Sequence, residues 1–188
     1  MPILPLFREF TIWLKPERPD HLPEQAVSRL YRAHARMRVA KRFDGIRLRG
    51  LSDTLVAGYS AGVRLLLAYS AAETMGGAIG RHVTTWTIRN ADIVETLRRI
   101  SADLKDWPIG LNDHVKEQLA DFVREHNDNV RIPATALRHL MAHGHFAPAG
   151  QIALRKKEIE AVEKLSVDLI SETERRFASW FESVSGRK

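Results

Sequence analysis

Apolar residues recur at steps of three and four along most of this chain, a period that belongs to helices rather than strands. Leu30, Ala33, Met37 and Ala40 form a thin stripe that predicts a helix over 23–43. Leu55, Val56, Tyr59, Val63, Leu66 and Ser70 share one arc, predicting a second helix over 53–75 with Ser52 or Asp53 as its N-cap and Gly76-Gly77 as its end. Glu73 falls inside that arc. Ile93, Leu97, Ile100 and Leu104 predict a helix over 90–106, broken by Trp107-Pro108 and Gly110. Asn112 then caps a helix to about 126, with Val115, Leu119, Phe122 and Val123 inward. After the Asn127-Asp128-Asn129 turn, Pro133 and Gly144 bracket a short helix. The last helix, over 156–184, places Ile159, Val162, Leu165, Leu169, Thr173, Phe177 and Trp180 on one side. At ~1.5 Å per residue it is roughly 40 Å long, so its C-terminal half is expected to run past the bundle or pack on a partner.

Two stretches break the period. Phe10-Thr11-Ile12-Trp13-Leu14 is β-branched and aromatic and predicts a short strand, while Pro2, Pro5, Pro16 and Pro19 argue against a long helix there. Thr84 to Asn90 is β-prone but short. The expected fold is all-α. It is an antiparallel bundle of five or six helices over residues 23–188, preceded by a short irregular or β N-terminal extension over 1–22 that packs on it.

Composition narrows this further. The 188 residues are 44% hydrophobic and 28% charged, as in a globular protein of one domain. No cysteine is present, which removes disulfides, thiolate metal sites and thiol nucleophiles. Arg8, Glu9 and Lys15 spoil the N-terminus as a signal peptide, and no uninterrupted apolar run approaches a bilayer span. The expectation is therefore a cytoplasmic location and no membrane. A net charge of +6 favours an anionic partner. There is no Gly-rich phosphate loop and no nucleophile elbow.

The candidate chemistry lies on the short helix. Ala136, Leu137, Leu140 and Met141 should face the core, while Thr135, Arg138, His139, Ala142 and His143 share the opposite arc. An arginine and two histidines are thus separated only by small side chains, and His145 adds a third imidazole just beyond. A solvated face with histidines near the negative helix end accounts for the same pattern. A metal site is disfavoured: His139 and His143 have i, i+4 spacing, but no carboxylate lies in this stretch to complete one.

Arg138-His139-Leu140-Met141-Ala142-His143 resembles the Arg-φ-x-x-x-His signature, φ being polar, of HEPN domains. The likeness extends over Ala136–Pro148 in letters and over about 53–184 in helix arrangement. The resemblance implies a metal-independent endoribonuclease without a cofactor, in a defence or toxin–antitoxin setting. It further implies a homodimer whose two motif helices build one active site, and a possible regulatory protein partner. His143 would act as base or acid, since imidazole titrates near physiological pH, and Arg138 would stabilise the phosphorane. His139 or His145 would complete the acid–base set, and His145 would also meet RNA. Glu73 resembles the polar residue such domains place opposite the motif, there to orient Arg138 or a histidine. HEPN toxins with a nucleotidyltransferase antitoxin carry tyrosine where this chain has His145, so regulation through that tyrosine is not expected here. Catalytically inactive HEPN-like scaffolds supply the alternative reading.

Finally, Arg29, Arg32 and Arg36 form a stripe on the helix over 23–43, in the densest positive region of the sequence. Arginine binds phosphate bidentately, so the stripe is a candidate RNA-backbone surface; a solvated helix face is the plainer account.

Overall fold

The computed structural model describes residues 6–15, 22–105, 110–143 and 154–186. Among these it contains seven α-helices, one short 3₁₀ turn at Val83–Thr85 and no strand. The helices are α1 (Phe7–Trp13), α2 (Glu24–Arg42), α3 (Asp53–Ala78), α4 (Ala91–Lys105), α5 (Asp113–Val123), α6 (Arg131–Ala142) and α7 (Lys156–Ser185). The all-α bundle expected from the sequence is what is found.

The bundle is built around α3, which packs on α2, α6 and α7, while α4 packs on α5, α6 and α7. Small residues make α3 suitable for this. Gly58, Ala61, Gly62, Ala68, Ala71, Ala72 and Gly76 are all buried, so neighbouring backbones approach from several sides. Leu65, Tyr69 and Met75 fill the remaining space. The expected core arc is therefore displaced: Leu55, Val56, Tyr59, Val63, Leu66 and Ser70 are only half-buried. A helix packed on several sides hides its small residues against the closest neighbours and leaves larger ones on the less covered side. By length and composition α3 could cross a membrane; here its buried residues belong to the core shared with α2, α6 and α7.

The expected stop at Gly76-Gly77 is also corrected, because α3 runs on to Ala78. Gly76 serves packing instead. A Cβ there would lie 2.6 Å from the carbonyl oxygen of Arg81, where the chain crosses back. At the other end Ser52 is the N-cap, its hydroxyl accepting from the Leu55 amide. Asn112 caps α5 in the same way. That helix ends at Val123, short of the expected 126, in a Schellman turn with Glu125 in the left-handed region at φ 64°. Of the β-prone segment, Thr84 and Thr85 lie in the 3₁₀ turn, and the chain is extended from Trp86 without joining a sheet. Its backbone is held by Asn129, which accepts from the Ile88 amide and donates to the Trp86 carbonyl.

The N-terminal segment differs most from expectation. Phe10–Leu14 is no strand; Phe7–Trp13 is α1. Phe7, Phe10 and Trp13 recur at every third residue, and that spacing puts all three rings on one helical side. Phe10 is fully buried, with ring contacts to Tyr31 on α2 and to Phe177, Trp180 and Phe181 on α7. The C-terminal half of α7 thus packs beneath α1 rather than running past the bundle. β-propensity is a preference for a half-buried pleated surface, and with no sheet available the aromatic cluster decided the conformation.

Replacing Phe10 with Ala should destabilise the fold by about 3–5 kcal/mol, as for other buried aromatic truncations. Urea unfolding followed by far-UV circular dichroism checks this; a change under about 1 kcal/mol would mean α1 is dispensable. The ring of His34 stacks on Phe7 at 3.9 Å, and burial, helped by Arg38, holds its pKa below the usual histidine value. The unfolded chain then binds the proton more readily than the native one. This contribution to stability is complete above a pH of about 6.5 and is lost as the pH falls through the lower native value. His34→Gln should flatten the acid limb of stability against pH, and an unchanged limb would remove the assignment.

Candidate functional site

The motif helix α6 is seated on α3 by Met141, whose side chain occupies the space that a Cβ on Gly62 would need. Ala136, Leu137 and Leu140 are buried as expected, and Met141 is half-buried. This seating turns Arg138 toward α3. One guanidinium nitrogen donates to Glu73 Oε2 at 2.9 Å, and Arg138 Cζ lies 5.6 Å from the centre of the Tyr69 ring. Tyr69 and Glu73 are one turn apart on α3, so a single helix face supplies both the aromatic surface and the carboxylate that position Arg138. Of the two partners expected for Glu73, Arg138 is the one that it bonds.

The ion pair is half-exposed, with 28% of the Arg138 side chain and 40% of Glu73 accessible. A pair so open to water contributes about 0–1 kcal/mol. It sets direction rather than stability. The same exposure also explains how a carboxylate can sit on the half-buried arc of α3 without a heavy desolvation cost.

His139 and His143 follow on the same side of α6, their ring centres 5.0 Å apart. His143 is the exposed C-cap residue. Burial lowers the pKa of His139, and the Arg138 guanidinium and His143 lower it further, while the Glu73 carboxylate opposes them. His139 is thereby biased toward the neutral form and His143 is left at the helix end facing solvent. His145 and Gly144, the residue expected to end this helix, lie outside the described residues.

Beneath this face is a network that sequence reasoning missed. Arg131, only 4% exposed, donates from Nε to the Trp86 carbonyl at 3.1 Å and from Nη1 to Thr135 Oγ1 at 3.3 Å. Thr135 and Tyr69 share a hydroxyl–hydroxyl bond of 2.9 Å. Burial raises the pKa of Tyr69 and lowers that of Arg131. Thr135 is thus no open gap beside the motif but a link in its foundation, whereas Ala142 is exposed as expected. The signal was present in the spacing: Arg131, Thr135 and Arg138 are at i, i+4 and i+7, and Tyr69 and Glu73 at i and i+4.

The arginine stripe lies next to this site. Arg36 donates to the Thr74 hydroxyl and to the Ser70 carbonyl, and Arg29 to the Gly77 carbonyl at 3.4 Å. Arg29, Arg32 and Arg36 line a groove together with Glu73. Glu73 therefore belongs both to this groove and to the ion pair with Arg138. No three His, Asp or Glu side chains among the described residues converge as a metal site would require.

Fold and site define an all-α bundle carrying an arginine–carboxylate pair and two histidines at one helix end. Compared with protein-family models, with curated proteins and with solved structures, the chain matches none of them.

Because Glu73 opposes the lowering of His139, Glu73→Gln should move the His139 pKa further down. Titration of the imidazole signals by NMR checks this; an upward or absent shift would mean that Glu73 does not act on that ring.

Proposed function

We propose that this chain is a metal-independent endoribonuclease of HEPN type, working as a homodimer. The observation that carries the reading is the Arg138–Glu73 pair with His139 and His143 on the same accessible helix end. In the proposed reaction a base removes the proton of a ribose 2′-OH as that oxygen attacks the adjacent phosphorus. Arg138 stabilises the charge that builds on the phosphorane oxygens. The P–O5′ bond then breaks, and an acid protonates the leaving 5′-oxygen. The products are a 2′,3′-cyclic phosphate and a 5′-OH.

His143 is the proposed base or acid, for it is the exposed imidazole of the pair. Arg138 needs a fixed direction to meet a phosphorane, and Glu73 and Tyr69 supply it. His139, biased toward neutrality, suits a proton acceptor. A second copy would bring a second His143 and complete the acid–base pair. The half-exposed Leu55, Tyr59, Val63 and Leu66 support such a dimer, because they form an apolar stripe along α3 leading toward Glu73. Exposed Ala142 supports close approach of the two motif helices.

The purified protein should cleave single-stranded RNA in EDTA and leave cyclic phosphate ends. His143→Ala should lower the rate by a factor of about 100 or more, as expected for loss of an acid–base group. Gel analysis of a labelled RNA, with circular dichroism to verify folding, checks both. Cleavage that stops in EDTA would favour a metal-dependent reaction. A folded wild type that cuts nothing would favour the scaffold reading.

A further inference from the structure

Among the described residues, grooves run along α2, and two of them share lining residues. The first, of about 240 Å³, is lined by Arg29, Arg32, Arg36, Glu73, Thr74 and Gly77. The second, of about 480 Å³, is lined by Glu24, Gln25, Ser28, Arg29 and Arg32. They share Arg29 and Arg32, so they form one trough. Glu73, in the wall of the first, is the residue bonded to Arg138. The trough therefore runs from the N-terminal turn of α2 to Glu73, the carboxylate that bonds Arg138 on α6. The third groove, around Arg38 and Arg42, has no residue in common with either.

We propose that this path is a binding trough for one strand of RNA, delivering its phosphates to Arg138, with Arg32 as the capturing arm and Glu73 as the gate. The proposal rests on the nuclease reading for the chemistry at its far end, and on the trough itself for binding.

Spacing and charge carry the argument. Arg29 to Arg36 spans seven residues of helix, roughly 10 Å, which is long enough to face about two consecutive phosphates of one strand. The three arginines differ in freedom. Arg29 and Arg36 are each anchored on α3 through Nη1, which leaves the rest of each guanidinium fork for a ligand. Arg32, exposed between them, makes no hydrogen bond or ion pair among the described residues. Two held cations flank a free one. Such an arrangement limits the entropy lost on binding while keeping one arm able to reach.

The same geometry selects the ligand. Between α2 and α3 the trough offers only about 240 Å³, a space that suits a single sugar–phosphate strand rather than a duplex. None of its lining residues is aromatic, so bases have no stacking platform and sequence is not read there. Glu73 is the carboxylate between the stripe and Arg138, and it repels a phosphate approaching either. Its open ion pair is weak enough for an arriving phosphate to replace it on Arg138.

The test is fluorescence anisotropy with a fluorescein-labelled 2′-O-methyl oligouridylate, which a 2′-OH-dependent nuclease cannot cut. Arg32→Gln should weaken binding at low salt by about fivefold or more and make the log–log salt slope shallower by about 0.7, the value for one lost phosphate contact on a single strand. Glu73→Gln should tighten binding. Arg99→Gln removes the same charge from an exposed position on α4 and should change neither affinity nor slope. Equal losses in the Arg32 and Arg99 variants would overturn the trough, as would weaker binding after Glu73→Gln. A duplex of the same length bound as tightly would overturn the choice of a single strand. Wild-type protein that binds in the expected pattern but cleaves no RNA would uphold the trough and sink the nuclease reading. Intact cleavage with unchanged binding in Arg32→Gln would do the reverse.

Discussion

Everything in this molecule depends on how closely helices approach α3. Its buried glycines and alanines let α2, α6 and α7 pack against one helix, which would be impossible if those positions carried larger side chains. Met141 of the motif helix uses the space left by Gly62, and the return of the chain after α3 uses the space left by Gly76. Close packing at these points fixes where α2 and α6 sit, and hence where their polar residues meet. The candidate site is a consequence of that packing rather than an addition to it.

The electrostatics follow the same logic. Arg131 is buried with no carboxylate bonded to it among the described residues, and backbone and hydroxyl oxygens satisfy it instead. That network holds Thr135 and Tyr69, and the Tyr69 ring supports Arg138 from beneath. Glu73 holds it from the side. The buried part of the arrangement is rigid and satisfied, while the outer pair is open to water. An arginine that must exchange a carboxylate for a phosphate benefits from that division, because its direction is preset and its partner is weakly held. The proposed nuclease chemistry and the proposed RNA trough both draw on this one feature, so Glu73 links them.

How much was legible in the chain varies by region. The helices of α2, α4 and α7 were readable because each buries one clear stripe, and a period of three and four is then visible directly. For α3 the stripe that looked like the core was the less covered side, because alanine and glycine carry little hydrophobic signal yet occupy the tightest contacts. For α1 the β-branched and aromatic letters suggested a strand; the three-residue spacing of Phe7, Phe10 and Trp13 held the better clue. It acquires meaning only when Phe177 and Phe181 are there to receive those rings.

The sequence by itself determined that most of the chain is helical, that Asn112 caps α5, and that Arg138, His139 and His143 share one helix face. These are local properties, set by residue spacing along a regular helix. Only the tertiary structure decided that Glu73 bonds Arg138, that Tyr69, Thr135 and Arg131 lie beneath it, and that Arg29, Arg32 and Arg36 adjoin the same carboxylate. Those relations join residues far apart in the chain, such as Glu73 with Arg138 and Tyr69 with Thr135. Which face of one helix meets which face of another depends on interlocking side-chain volumes, and spacing within a single helix does not encode it.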